Sequence, residues 1–207
     1  MISFVEEERV STRDRILEEA LTLFSENGYD GTGVEQIAER VGIKAPSLYK
    51  HFKGKEDILN ALIDNAEARY EESFGSEQRL GRLPESREEF VQMTMERVLF
   101  TMRDPMIRKI RKFLVQEQFR SDRLAAITTR HQLEGVQRMY TKIIGSMMEK
   151  GLFVNDDPGL LADELTAQVV LLIAKADRQP QAEQEITESI ERHIRHFCKV
   201  YMRAIHG

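Results

Sequence analysis

Residues 32–55, TGVEQIAERVGIKAPSLYKHFKGK, constrain the fold most, because they read as two short helices folded back through a one-glycine turn. Thr32 and Glu35 stand in capping-box spacing, so Thr32 is expected to cap the first helix. Val34, Ile37, Ala38 and Val41 then recur at i, i+3, i+4 and i+7, which gives that helix one apolar face. Gly42 supplies the turn, since a sharp reversal calls for a backbone conformation that glycine adopts without strain. A second helix is expected over Ala45–Phe52, burying Leu48 and Phe52 and turning Ser47, Lys50 and His51 outward. Pro46 in its first turn is compatible with a helix start. A pair of helices at a steep angle, the second short, polar and basic, points to double-stranded DNA. The bland alternative is a solvated charged face on a three-helix packing unit.

Charge supports the first reading. From Arg40 to Lys55 there are five basic residues (Arg40, Lys44, Lys50, Lys53 and Lys55) and no acidic one, whereas residues 1–39 hold ten Asp or Glu against three Arg. The formal net charge of -5 would argue against nucleic acid if it acted as a whole. Charges are felt over a Debye length of about 8–10 Å, so a local basic segment can meet phosphates while the acids face elsewhere. Groove geometry then divides the residues. The first turn of a recognition helix enters the major groove, where Lys44, Ala45, Pro46, Ser47 and Lys50 are the candidates for reading base edges. Thr32, Tyr49, His51 and Lys55 are placed for phosphates, with packing as the competing use of Tyr49.

Residues 15–59, RILEEALTLFSENGYDGTGVEQIAERVGIKAPSLYKHFKGKEDIL, share their spacing of LF, GY, T, IA, GI, LY, HF and KE with a known family. With them, residues 12–59 resemble the DNA-binding domain of the tetracycline-repressor (TetR) family. One departure is Lys44, where that family usually places a Ser or Thr to cap the recognition helix. The resemblance covers about a quarter of the chain densely. It implies a homodimer that binds operator DNA, controlled by a ligand-binding C-terminal domain, with the helix after the reading head carrying the signal. A repressor is the expected form, and control by a partner protein without a small-molecule effector is the alternative.

The rest of the chain fits that frame. With 207 residues, 41% hydrophobic content and five prolines, an all-α protein of about nine helices is expected. The organisation expected is a helix-turn-helix domain over residues 1–54 and a helical regulatory domain over residues 55–207, with a connecting helix at 56–72. Residues 1–10 are expected to form an arm ahead of the first helix, which Ser11 or Thr12 can cap and Gly28 can end. Within it, Ile16, Ala20 and Phe24 form a stripe, and Tyr29 is expected to cover the same small core. A loop over residues 74–84 ends the connecting helix. Helix starts are expected at Ser86 with Glu89, at Asp104-Pro105 and at Asp157-Pro158, and a long helix over residues 121–150 carries two apolar faces, so it should lie in the middle of its domain.

Two sites are expected in this second domain. Met95, Phe100, Met102, Phe113, His131, Met139, Tyr140 and Ile143 are candidates for a pocket taking a small apolar or amphipathic effector, since thioethers adapt to apolar guests. The same residues can simply fill an irregular core, and His131 can be a hydrogen-bonded core histidine. Leu161, Leu165, Val169 and Leu172, with Ile190, Ile194, Phe197 and Tyr201 on the last helix, are the expected dimer interface, the alternative being that both helices close the protomer's own core. The cations of Arg108–Lys112 face solvent, or pair with the acid-rich first and fourth helices, or capture an anionic ligand. His193 and His196 lack a third metal ligand at a convincing spacing, and Cys198 lacks a His partner, so neither metal, cofactor nor catalysis is expected. The longest apolar run, Val169–Ala174, is far short of the ~20 residues of a membrane span, and no apolar leader opens the sequence, so a cytoplasmic protein is expected.

Overall fold

The computed structural model describes residues 11–74 and 82–203, in which helices follow one another almost without interruption. They form two compact units, one up to Glu67 and one from Ala68 onward. The expectations for residues 1–10 and for most of the loop at 74–84 lie outside the described residues.

The first unit holds α1 (Thr12–Asn27), α2 (Val34–Val41), α3 (Ala45–Leu48) and the first part of α4 (Lys55–Phe74). Ser11 caps α1 by accepting the amide of Asp14, and Gly28 ends it at φ 78°. Ile16, Ala20 and Phe24 are buried as their four-residue spacing demands, together with Ile37, Val41, Leu48, Phe52, Ile58 and Leu62 from the other helices. Tyr29 packs on this core, its ring centroid 5.3 Å from that of Phe24. One cap differs from expectation. Gly33, not Thr32, is the N-cap of α2, and the carboxamide of Gln36 accepts its amide at 2.7 Å.

The second unit begins within α4 and continues through α5 (Arg87–Arg103), α6 (Pro105–Glu117), α7 (Asp122–Thr129), α8 (Gly135–Glu149), α9 (Pro158–Arg178) and α10 (Glu183–Tyr201). Ser86, Asp104 and Asp157 cap α5, α6 and α9 with their side chains, each at the expected start. The Glu89 carboxylate reaches back to the amide of Glu85, one residue beyond Ser86. α7 and α8 form one rod whose middle, Arg130–Glu134, is a π-helical turn. Gly135 closes that turn by donating to the Arg130 carbonyl, and a Cβ there would stand 3.1 Å from the same oxygen. The rod is less enclosed than its two apolar faces suggested: Leu133 is exposed, and Ile127, Val136 and Met139 are half-buried.

α8 packs on α9, α9 on α10, and α10 on α5. Their shared core centres on Phe90, Phe153 and Phe197, with Phe90 and Phe197 stacked at 6.4 Å and Phe90 meeting Phe153 edge-on at 5.6 Å. The end of α10 is tied to the α8–α9 connection by Val154 N donating to Tyr201 O at 2.8 Å and Arg203 N to Leu152 O at 2.9 Å. No described helix is long and apolar enough to cross a membrane.

Candidate nucleic-acid interface

Gly42 adopts φ 78° and ψ 31°, the left-handed conformation that lets α2 stop and α3 depart at once. Its amide and that of Ile43 return to the carbonyls of Ala38 and Glu39, so the last turn of α2 keeps its hydrogen bonds. Regular α3 is only Ala45–Leu48, half the expected length. The amides of Lys50 and His51 bond to carbonyls three residues back, Ser47 and Leu48, so the chain tightens to Phe52 instead of continuing as α-helix. That tightening lets Phe52 turn inward beside Leu48, and both are buried.

What remains outside is the expected face in part. Lys44, Pro46, Tyr49, Lys50, His51 and Lys53 are exposed, with Ala45 and Ser47 half-exposed between them. Two of the expected residues are engaged elsewhere. Thr32 is buried, and its hydroxyl donates to the carbonyls of Gly28 at 2.9 Å and Leu23 at 3.2 Å, so it serves the α1–α2 corner and has no proton left for a phosphate. Lys55 places its ammonium 2.6 Å from the Tyr29 carbonyl and 4.4 Å from the centre of the Tyr29 ring. Arg40, counted with the basic segment, is ion-paired to Glu19 at 3.1 Å and Glu26 at 3.8 Å, so the free positive face starts at Lys44.

Three braces behind this face were missed in the sequence. The Arg15 guanidinium donates to the Val41 carbonyl at 2.5 Å, Arg13 lies over the Phe52 ring at 5.0 Å, and Lys55 clamps the Tyr29 loop. Each joins residues about 26 to 40 positions apart, and no local pattern announces such a pair. Gly31 also passes within a Cβ's reach of the Asn27 carbonyl, at 2.3 Å, so no other residue fits that corner.

In the second unit the eight pocket candidates do not share one lining. Met102, Tyr140 and Ile143 are buried in the central core, with Met95 and Met139 packed against it. Phe113 is buried on α6, His131 lies half-buried in the π turn, and Phe100 joins the rings of Tyr70 and Phe74 at 5.1 and 5.2 Å. A shallow surface hollow with no enclosed space is lined by Met102, Arg108, Arg111, Ala176, Asp177 and Glu183. Within the basic run on α6, Arg111 finds its acid on α9, gripping Asp177 with two hydrogen bonds of 2.7 and 2.9 Å. With Glu183 held by Arg103, that hollow offers little net charge to an anion.

The expected dimer residues also need correction. Leu161, Leu165, Val169, Ile190, Ile194 and Phe197 fill the protomer's own core, and Leu172 and Tyr201 are only half-exposed. A stripe at helical spacing shows that a face is buried but not what covers it. The apolar side chains that α9 and α10 turn outward are Leu160 and Leu171, 51% and 62% exposed, and Val200 at 50%. His193 bonds the Leu165 carbonyl through Nε2 at 3.0 Å, and burial pushes the Cys198 thiol up to about 12, which leaves it unreactive. Among the described residues no three His, Cys, Asp or Glu side chains converge on a metal position.

Comparison with known proteins centres on the first unit. Residues 16–62 match the family model described as "Bacterial regulatory proteins, tetR family". Over 53 residues the chain is 47% identical to the Staphylococcus epidermidis biofilm operon icaADBC HTH-type negative transcriptional regulator IcaR, a match that covers 26% of this chain and 29% of IcaR. The chain thus spans less than a third of that relative's length. Similar solved structures extend over both units. The Stenotrophomonas maltophilia efflux-pump repressor SmeT, in its complex with triclosan, is 20% identical with a TM-score of 0.73 and covers 94% of this chain and 93% of its own. Salmonella enterica GusR is likewise 20% identical, with a TM-score of 0.68 and coverage of 94% and 98%. At that identity these two establish the shared fold.

Proposed function

We propose that this chain, a TetR-family protein by its N-terminal domain, is a transcriptional repressor that binds a palindromic operator as a homodimer and is released by a small molecule. The observation that carries the DNA reading is the exposed, acid-free face from Lys44 to Lys53, held on the glycine-turned α3 by buried Leu48 and Phe52. Lys50 and Ser47 supply donors to base edges, and Ala45 and Pro46 supply apolar contact for a thymine methyl. Tyr49 and His51 flank them for phosphates, while Lys55 adds charge and fixes the Tyr29 loop. Two such heads need a two-fold partner, because half-sites repeat at roughly one helical turn of DNA, about 34–36 Å, or a multiple of it. The outward face of α9 and α10 is the surface that supplies it, closing a four-helix arrangement with its copy. An effector acts by binding more tightly to the dimer whose heads are wrongly spaced, since only differential affinity shifts the equilibrium. SmeT holding triclosan on the same fold supports a small-molecule site in the C-terminal domain.

The test is an electrophoretic titration against duplex DNA from upstream of the chain's own coding region. Specific binding should weaken linearly in logarithmic salt, and Lys50→Ala should lower specific affinity about tenfold or more, in line with the roughly 1–3 kcal/mol carried by a base-reading contact. Binding no tighter than to scrambled duplex would remove the reading.

A further inference from the structure

Two arginines of the second unit are partly or largely drawn out of water, and among the described residues only one of them is paired with an acid. Arg111 lies against Asp177, which accepts from both Nε and Nη2, and its third nitrogen donates to the Thr101 carbonyl. Arg97, on α5, has no carboxylate within ion-pair reach among the described residues. Its Nε is buried without a hydrogen-bond partner, and its guanidinium lies 4.7 Å from the centre of the Phe74 ring. Burial pulls its pKa below the usual arginine value, opposed by Tyr140 and Glu96. An aromatic face returns only a fraction of what a guanidinium loses on leaving water, so among the described residues no carboxylate pairs with this partly buried charge.

The neighbouring groups share its condition. Thr94, one turn earlier on α5 and only 1% exposed, has a hydroxyl with no hydrogen-bond partner. The buried Tyr140 phenol of α8 lies close enough for Thr94 and Arg97 to act on its ionisation, yet the two hydroxyls do not meet hydrogen-bond geometry. Beside them, Thr101 gives its proton to the Arg97 carbonyl at 2.8 Å, so Tyr70 is the donor in its 2.6 Å contact with Thr101. Tyr70, Phe74 and Phe100 meet one another at 5.1 to 6.3 Å and present ring surface next to the guanidinium. The two unmet groups, the Arg97 Nε–H and the Thr94 hydroxyl, can both donate, and beside them stand one formal positive charge and an aromatic wall.

We propose that this cluster is the head-group subsite of the C-terminal domain and that its ligand is an aryl carboxylate, held by Arg97, Thr94 and Tyr140 with its ring against Tyr70, Phe74 and Phe100. The proposal rests on the reading that this domain takes a small-molecule effector. One guanidinium and neutral hydroxyls match a monoanion, whereas a dianionic phosphate would call for a second cation. A charge left waiting inside the protein costs stability until an anion arrives, so binding restores stability as well as occupying space.

The experiment uses the purified full chain, with naphthalene-2-carboxylate and its neutral isostere naphthalene-2-carboxamide as probes, followed by calorimetry and by probe fluorescence. The carboxylate should bind about tenfold or more tightly than the amide, because a buried charge pair broken on one side loses at least that much. Arg97→Met should bring the carboxylate down to the amide's affinity and leave the amide unchanged, and Thr94→Val should weaken the carboxylate by a smaller factor. Equal affinity of the two probes for the unmodified chain overturns the proposal without recourse to any variant. So does an Arg97→Met chain that folds and keeps its carboxylate affinity, or no carboxylate binding at millimolar concentration. Operator release is measured separately. Carboxylate bound through Arg97 with the DNA complex intact leaves the subsite standing and removes the effector reading. DNA released by other compounds, with no carboxylate bound, does the reverse.

Discussion

Gly42 and Gly31 show how one residue type meets two different demands within a dozen positions. At Gly42 an added Cβ would meet nothing within 4 Å, so the only penalty for alanine is the left-handed backbone at φ 78°. That penalty is roughly 1–2 kcal/mol. At Gly31 the Cβ would sit 2.3 Å from the Asn27 carbonyl, a backbone atom that cannot swing aside. Gly42→Ala should therefore lower the opening free energy of residues 34–52 by about 1–2 kcal/mol, read by hydrogen exchange, while largely preserving operator binding once folded. Gly31→Ala should be the more damaging of the two, because the loop that carries Tyr29 and its Lys55 clamp must move. Equal effects would show that the clamp tolerates displacement.

Among elements, α6 depends most visibly on one side chain. Asp104 accepts the amides of Met106 and Ile107 and pairs with Arg69. Burial alone would raise its pKa, but the Arg69 hydrogen bond and the two amides outweigh burial and hold the carboxyl below the usual range. A depressed folded-state pKa adds stability above the unfolded value of about 3.9, and that stability is lost as pH falls through the folded value. Asp104→Ala should accordingly destabilise the second unit by about 1–2 kcal/mol at pH 7, with the gap to the unmodified chain narrowing below about pH 4 in urea titrations. Such caps were legible because Asp-Pro is a local signal, read from two adjacent residues. The α2 cap was misread for an equally local reason. Thr32 and Gly33 both stand before the first apolar residue, and the hydroxyl of Thr32 found better acceptors in Leu23 and Gly28. Pairs such as Arg15–Val41, Tyr29–Lys55 and Arg111–Asp177 join distant positions, so only the folded chain brings them into view. The Arg97 cluster escaped the sequence for the same reason: a lone arginine in an amphipathic helix looks like any solvated one.

For the whole molecule, an apolar stripe told that α9 and α10 are buried on one side but could not say that the protomer itself does the burying. The proposed two-fold contact moves to the opposite side of α9, where Leu171 is 62% exposed. Leu171→Glu should reduce the mass in light scattering from twice the 24.0 kDa protomer to one protomer, and weaken operator binding with it. A monomeric unmodified chain at micromolar concentration would defeat the dimer. The π turn at Arg130–Glu134 has a consequence of another kind. Ile143 follows Leu124 by nineteen residues, as Met147 follows Thr128, and in an unbroken α-helix of 3.6 residues per turn each pair would stand about 100° apart. A wide turn takes up about one residue without advancing the helix, which brings all four, each of them buried, onto one side. Losing a single residue between 130 and 134 would turn the wide turn into ordinary α-helix and keep all four on one side, whereas losing one elsewhere between residues 124 and 147 would swing one half against the other by about 100°. Length changes of that size are ordinarily absorbed by loops; here a helix holds one in its wide turn, and anywhere else along the rod it would act as a frameshift of the core.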